Sequence, residues 1–324
     1  MNARRNFLKT SATFGAVAAS AGLLSACGGS DDPAPTPAPT QNIVQLAQAT
    51  PDLSILVEAV VAADLAGTLS NTQNLTVFAP TNAAFAALLT ELGVTKAALL
   101  ANKPLLTTVL TYHVLAAKVL KADIPLGKAI DPLLTGTSDV FKIDVVGTNV
   151  VINDGRNRKA NITTTDIMAT NGVVHLIDKV ILPADKNIVQ TAQSISDFSI
   201  LVEAVIAAGL APTLSGAGPL TVFAPTNAAF ASALTELGIT KDALFANVPL
   251  LTKILTYHVV PGRVLKADVP VGPAITTVQG ETFTVNAQLR IIDRRARQAG
   301  ITATDVLTSN GVIHVIDKVI LPAA

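Results

Sequence analysis

The chain has 324 residues, half of them apolar, with 23 basic and 23 acidic side chains, two tyrosines, no tryptophan and one cysteine. One cysteine excludes an internal disulfide framework, and balanced charge with no tryptophan and two tyrosines leaves little to hold or stack nucleic acid. The length suits two domains, each able to bury its own core.

The first 27 residues read as an export segment and lie outside the fold. Arg4-Arg5-Asn6-Phe7-Leu8-Lys9 resembles a twin-arginine export signal, and the mildly apolar Ser11 to Leu24 stretch is too short and weak to span a membrane. Leu24-Ser25-Ala26-Cys27 resembles a bacterial lipobox, which implies lipidation of Cys27 as the mature N-terminus; the other reading is a plain secretory signal with a chance cysteine. Several acyl chains anchor firmly, since each buried methylene contributes about 0.8 kcal/mol. Gly28 after the cysteine, in place of aspartate, favours the outer membrane, on its periplasmic or surface-exposed face. Removing Arg4, Arg5 and Lys9 leaves 20 basic residues against 23 acidic ones. Residues 28–41 alternate proline with small residues, as in an extended polyproline tether that rises roughly 3.1 Å per residue.

From Asn42 the chain repeats itself. Asn42-Ile-Val matches Asn187-Ile-Val, and Leu75 to Ala86 (LTVFAPTNAAFA) matches Leu220 to Ala231 at every position. Thr111-Tyr-His-Val matches Thr256-Tyr-His-Val at the same offset of 145, which falls to 139 where Asn171 to Pro183 pairs with Asn310 to Pro322. Six residues are therefore missing from the second copy, between Ile275 and Thr304. A period of that size is a domain and not a solenoid repeat, so the layout is 42–184 and 187–324, with a junction short enough that the two should touch.

Within a copy, Ile55, Leu56, Ala59, Val60 and Ala63 recur at helical spacing. Leu75 to Ala79 reads as a strand ended by Pro80, with Thr81 or Asn82 capping the next helix, so that Leu75, Val77, Phe78 and Phe85 should meet in one core. Further helices start near Thr95 and at Pro104, the latter running to about His113. Strand signals follow at Val140 to Gly147, Asn149 to Asn153, Ala160 to Ile167 and Val173 to Leu182, the last apolar on both faces and hence central. The fold class is α+β, two tandem domains of a mixed β-sheet wedge with several short helices.

The LTVFAPTNAAF stretch, the Tyr-His pair and the closing Asn-Gly-Val-(Val/Ile)-His stretch, in the same order in both copies, resemble the conserved boxes of the fasciclin domain. The resemblance implies a compact wedge of strands flanked by helices and a secreted or membrane-tethered protein that binds a cell-surface or matrix partner without catalysis. It also implies two kinds of adhesion contact. One is the Tyr-His region, Tyr112-His113 and Tyr257-His258; the other is an Asp-Ile pair before the last box, Asp166-Ile167 and, with a conservative change, Asp305-Val306. Each has a structural alternative: a tyrosine can supply core area with its hydroxyl tied to backbone, and an aspartate at a strand end can order a turn.

The four histidines, His113, His175, His258 and His314, fall in apolar segments where buried, hydrogen-bonded rings are expected, and neither a nucleophile elbow nor a phosphate loop accompanies them. No cofactor is expected, because the metal-ligand spacings are missing. The basic hairpins, Arg156, Arg158 and Lys159 in one copy and Arg290, Arg294, Arg295 and Arg297 in the other, read as solvated edges or as contacts to an anionic polysaccharide. The expectation is an exported, lipid-anchored adhesion or matrix-interaction protein of the bacterial envelope. It would touch the membrane through its anchor only and bind an unidentified surface protein or polysaccharide. The alternative is a carrier of a small apolar ligand, a pigment or lipid.

Overall fold

The computed structural model describes residues 38–134 and 139–324; Arg4, Arg5, Cys27 and most of the tether lie outside the described residues. In the first domain, α1 (Ile43–Ala49), α2 (Ser54–Ala62) and α3 (Ala66–Asn71) precede β1 (Leu75–Pro80), and α4 (Asn82–Leu92), α5 (Lys96–Ala101) and α6 (Lys103–Tyr112) follow it. The remainder is β2 (Val114–Leu115), β3 (Ala129–Ile130), β4 (Phe141–Val146), β5 (Asn149–Asn153), β6 (Lys159–Ala169) and β7 (Gly172–Ile177). The second domain repeats the order. Its helices are α7 (Ile188–Gln193), α8 (Ser199–Ala207), α9 (Ala211–Ser215), then, after β8 (Leu220–Pro225), α10 (Asn227–Leu237), α11 (Lys241–Ala246) and α12 (Val248–Tyr257). Its other strands are β9 (Val259–Pro261), β10 (Ala274–Thr276), β11 (Thr282–Val285), β12 (Arg290–Ile292), β13 (Gln298–Thr308) and β14 (Gly311–Ile316).

Local sequence accounts for the helix ends. Thr81 accepts the Ala84 N–H at 3.3 Å, and Gly93 closes α4 at φ 64°, a left-handed cap that glycine enters without strain. Two helices, α1 and α3, add to those expected. Asn42 and Gln45 form a reciprocal capping box at 2.9 and 3.0 Å, repeated by Asn187 and Gln190, which makes so short a helix hold. Tertiary bonds secure it further: buried Asn171 accepts the Ile43 N–H at 2.9 Å and donates to the carbonyls of Leu69 and Thr72.

Each domain has one seven-stranded sheet, in the order β2-β1-β7-β6-β5-β4-β3 in the first. Only β1 and β7 run parallel; the other pairs are antiparallel. The sheet curls until its first and last strands approach, where the Leu133 N–H donates to the Val114 carbonyl at 2.7 Å, as Val278 does to Val259. The six missing residues divide equally. The pair Ile130–Phe141 becomes Ile275–Phe283, three residues shorter, and Lys142–Asn153 becomes Thr284–Ile292, three shorter again.

The expectation that Leu75, Val77, Phe78 and Phe85 share one core is corrected. Successive strand residues face opposite sides, so Leu75, Val77 and Phe85 join the helical core while Phe78 points into the curled sheet. There it meets Phe141 edge-on at 5.5 Å and stacks on His175 at 5.5 Å. The closing segment is strand only to Ile177; Val180, Ile181 and Leu182 stay buried but irregular, their backbone groups bonded to side chains. The second domain builds the same two cores from its own residues. Phe78→Ala should cost about 3 to 5 kcal/mol in the first domain and leave the second folded. Differential scanning calorimetry checks this: the first domain's transition should move down alone, and a shift of both by the same amount would contradict separate cores.

Candidate functional site

The Tyr-His pairs are interior. Tyr112 is fully buried, its hydroxyl donating to the Val140 carbonyl at 2.8 Å and accepting the Gly155 N–H at 2.9 Å. Tyr257 donates to the Thr282 carbonyl at 2.9 Å. Burial raises both phenols, Tyr257 to about 12, so both stay neutral. His113 ends α6, where Nδ1 donates to the Val109 carbonyl at 2.7 Å and Nε2 accepts the Ile181 N–H at 3.1 Å. His258 repeats both contacts at 2.8 and 3.1 Å. Burial lowers each ring to about 4, so both are neutral with a fixed tautomer. His175 and His314 accept the N–H of Asp166 and Asp305 through Nδ1 and donate through Nε2 to the carbonyls of Val119 and Val264. Tyr112, His113, Tyr257 and His258 thus tie the last helix to the sheet, and none offers a face to a partner in the folded chain.

Asp166 and Asp305 lie inside β6 and β13, at the irregularity before Ile167 and Val306, and not at strand ends. Each has a positive φ, 61° and 62°, which aspartate tolerates better than bulkier residues. Asp166 accepts the Lys121 N–H at 2.8 Å and Asp305 the Lys266 N–H at 2.7 Å, so each carboxylate also orders the loop after the domain's second strand. Ile167 and Val306 turn inward against the helical cores, half-buried. The expected equivalence of the two aspartates ends there: Asp166 is exposed and Asp305 is buried.

The cause is a contact between the domains. Lys142 on β4 reaches Asp305 at 2.8 Å and Asp144 at 3.0 Å, with 13% of its side chain exposed and 2% of that of Asp305. Burial alone would lower the Lys142 ammonium; the hydrogen bonds and charges of Asp305 and Asp144 outweigh that and raise it. Beside it, Asn157 donates to the Leu307 carbonyl at 3.0 Å and accepts the Leu307 N–H at 2.7 Å, standing in for a neighbouring strand. Val140 of one domain packs with Leu265, Leu307 and Val312 of the other, and Lys128 faces Asp268 at 3.5 Å. A cleft of about 550 Å³ borders the contact, lined by Leu126, Val145, Lys142, Lys266 and Asp305 among others. Lys142 and Asn157 carry no motif that marks them; the only sequence signal is that the second copy has Thr284 and Ala296 there.

The basic hairpins are partly structural, which corrects the reading of them as solvated edges. Arg158 binds Asp154, Glu91 and the Val180 carbonyl, and Arg297 binds Asp293, Glu236 and the Val319 carbonyl. Asp154 also accepts the N–H groups of Arg156, Arg158 and Leu182, which makes the Asn153-Asp154-Gly155 turn the point where hairpin and closing segment join. Among the described residues, no group of three or more His, Cys, Asp or Glu could hold a metal ion, and no helix is long and apolar enough to cross a membrane.

The fasciclin domain model matches residues 51–183 and 196–322. Protein sll1483 of Synechocystis is 47% identical over 135 residues, covering 42% of this chain and 73% of its own length. Transforming growth factor-beta-induced protein ig-h3 of Sus scrofa is 32% identical over 249 residues, covering 76% of this chain but 34% of its own, so this chain spans about a third of that relative. Among solved structures, a FAS1 domain pair from the insect cell adhesion molecule Fasciclin I covers 83% of this chain and 97% of its own at 17% identity, with a TM-score of 0.39.

Two outcomes follow from the geometry. Asp305→Asn leaves Asp144 as the charged partner of the buried Lys142 and should cost about 1.5 to 3 kcal/mol, whereas Asp166→Asn should stay within about 0.5 kcal/mol. Urea denaturation of both variants checks the difference. For His113 and His258 the unfolded value near 6.5 lies above the folded value of about 4, so an unfolded chain takes up protons that the folded one refuses. Their contribution is complete above about pH 6.5 and is lost as pH falls toward 4, up to about 3 kcal/mol per ring. Melting temperatures from pH 7.5 to 4 should fall through that window, and His113→Gln should remove the first domain's share of the slope.

Proposed function

The chain belongs to the fasciclin family, and from that premise we propose that it is a non-catalytic, envelope-anchored adhesion or matrix-interaction protein, held outside the cytoplasm by lipid on Cys27. The observation that carries the reading is the state of the chain's histidines and tyrosines. All four imidazoles and both phenols are bonded to backbone, and burial moves the titration of five of these six rings away from neutral pH. What the fold does present is surface. Asp166 is the member of the candidate adhesion set that remains accessible, with Met168 exposed beside it. The partner is a surface or matrix protein, or a polysaccharide.

A carrier role draws on a pair of matching apolar cavities, one per domain, lined by Ile43, Leu56, Val60 and Leu110 in the first and Ile188, Leu201, Val205 and Leu255 in the second. At about 30 Å³ each, they hold one water's share of volume, where small-molecule sites take roughly 300 to 1,000 Å³. Adhesion is therefore the preferred reading. The test uses cells carrying the full chain, Asp166→Asn or Cys27→Ser. Asp166→Asn should weaken attachment to an envelope or matrix fraction with an unchanged melting temperature, and Cys27→Ser should release the protein from the membrane and abolish attachment. Attachment unaffected by either change would sink the proposal.

A further inference from the structure

The contact between the two domains is a docking site already occupied in one copy and open in the other. Taking the Asp166 patch as a contact surface, as above, we infer that it receives another fasciclin domain, one that presents a lysine and an asparagine as the first domain does to the second.

The second domain shows what the patch accepts. Around Asp305, the docked first domain supplies Lys142 to the carboxylate, Asn157 to both backbone groups of Leu307, and Val140 to an apolar floor of Leu265 and Leu307. The first domain carries the same features in its own numbering: Asp166 for Asp305, Met168 for Leu307 and Leu120 for Leu265. Their local geometry is the same, with φ of 61° against 62° and the same carboxylate bond to a lysine N–H. Only the cover differs, so that Met168 is 38% exposed where Leu307 is 2%, and Leu120 is half-buried where Leu265 is fully buried. The edge of β6 is also open here, since β5 pairs with it only at Lys159 to Asn161. An unpaired edge next to an exposed thioether and an exposed carboxylate is complementary to an amide, an aliphatic side chain and an ammonium group.

The occupant is not an unaltered second copy. In every copy Lys142 and Asn157 are engaged within the chain, and the equivalent face of the second domain has Thr284, Ala296 and Pro273 where the first has Lys142, Asn157 and Lys128. Those replacements remove both cations and the amide, so stacking stops at two on that side and stays open on the Asp166 side. A head-to-tail contact whose free ends matched would grow into a filament. This chain keeps one end and lacks the other, so the fitting partner is a fasciclin domain of a different chain that retains the lysine and asparagine.

Restoring the missing end tests this with the full chain alone. Thr284→Lys on β11, where Thr284 is half-buried, combined with Ala296→Asn in the exposed turn after β12 restores both groups, and asparagine is at least as well accommodated as alanine at the positive φ of position 296. Without the help of a short linker, association should appear at about millimolar protein. Sedimentation of the double variant should give a mass that rises past twice the monomer's as concentration approaches that range, and rising salt should reduce it. Adding Asp166→Arg should return it to the monomer. Should the double variant melt early, Ala296→Asn in the exposed turn replaces it, with association expected at several-fold higher protein and again reversed by Asp166→Arg. A folded variant that stays monomeric, or association that survives Asp166→Arg, overturns the inference, even where Asp166→Asn still weakens cell attachment.

Discussion

Each domain depends on the parallel pairing of its first long strand with its last. β1 and β7 lie side by side from Leu75 opposite Gly172 to Pro80 opposite Ile177, so the start and end of the domain are locked together over six residues. The approach is close: a β-carbon at Gly172 would sit 2.1 Å from the Leu75 carbonyl oxygen, and one at Gly311 would sit 2.0 Å from that of Leu220. Glycine is therefore the residue that lets this pair form. Because the two strands are covered on both sides, they divide the interior into a helical core and an aromatic core inside the curled sheet. The polar residues buried there are bonded in full view of that division. Thr76 donates to the Ala117 carbonyl and accepts the Val119 N–H, and the four imidazoles bridge helix, strand and closing segment through hydrogen bonds on both ring nitrogens.

The same pairing places the region where the copies diverge. With β1, β7 and the helices held nearly constant, change accumulates in the outer hairpins, where three residues are lost before the fourth strand's counterpart and three in the following turn. The outer strands of the first domain carry Lys142, on β4, and Asn157, in the turn between β5 and β6, into contact with the second. A buried ion pair contributes little net stability once desolvation is counted, but it penalises any orientation that would strand the lysine. Its effect here is on geometry: it specifies which face of the second domain is covered, and so which copy of the aspartate stays available.

Much of this was legible in the residues. Repetition at an offset of 145 gave two domains, period-two and helical spacing gave an α+β class, and Thr81 and Pro104 marked helix starts, because each of these signals acts over a few neighbouring residues. Short helices were less visible; α1 has one buried residue, and its capping box and the distant Asn171 hold it more than any apolar stripe. The assignment of Phe78 failed for a related reason, since alternation says that neighbours on a strand part ways but not that both sides are core.

The candidate site was legible only as chemistry. Composition and motif marked Tyr112, His113, Asp166 and their counterparts as notable, and the near-identity of the copies made Asp166 and Asp305 look equivalent. Tertiary structure separated them. Exposure is a property of what packs over a residue, and the cover on Asp305 comes from Lys142, 163 positions away in a different domain. Sequence by itself determined the two domains, their local elements and the atoms each aspartate could offer, all of which follow from short-range backbone and side-chain preferences. Which tyrosines and histidines are interior, and which of two like carboxylates still meets solvent, was decided by contacts between distant segments that no local pattern encodes.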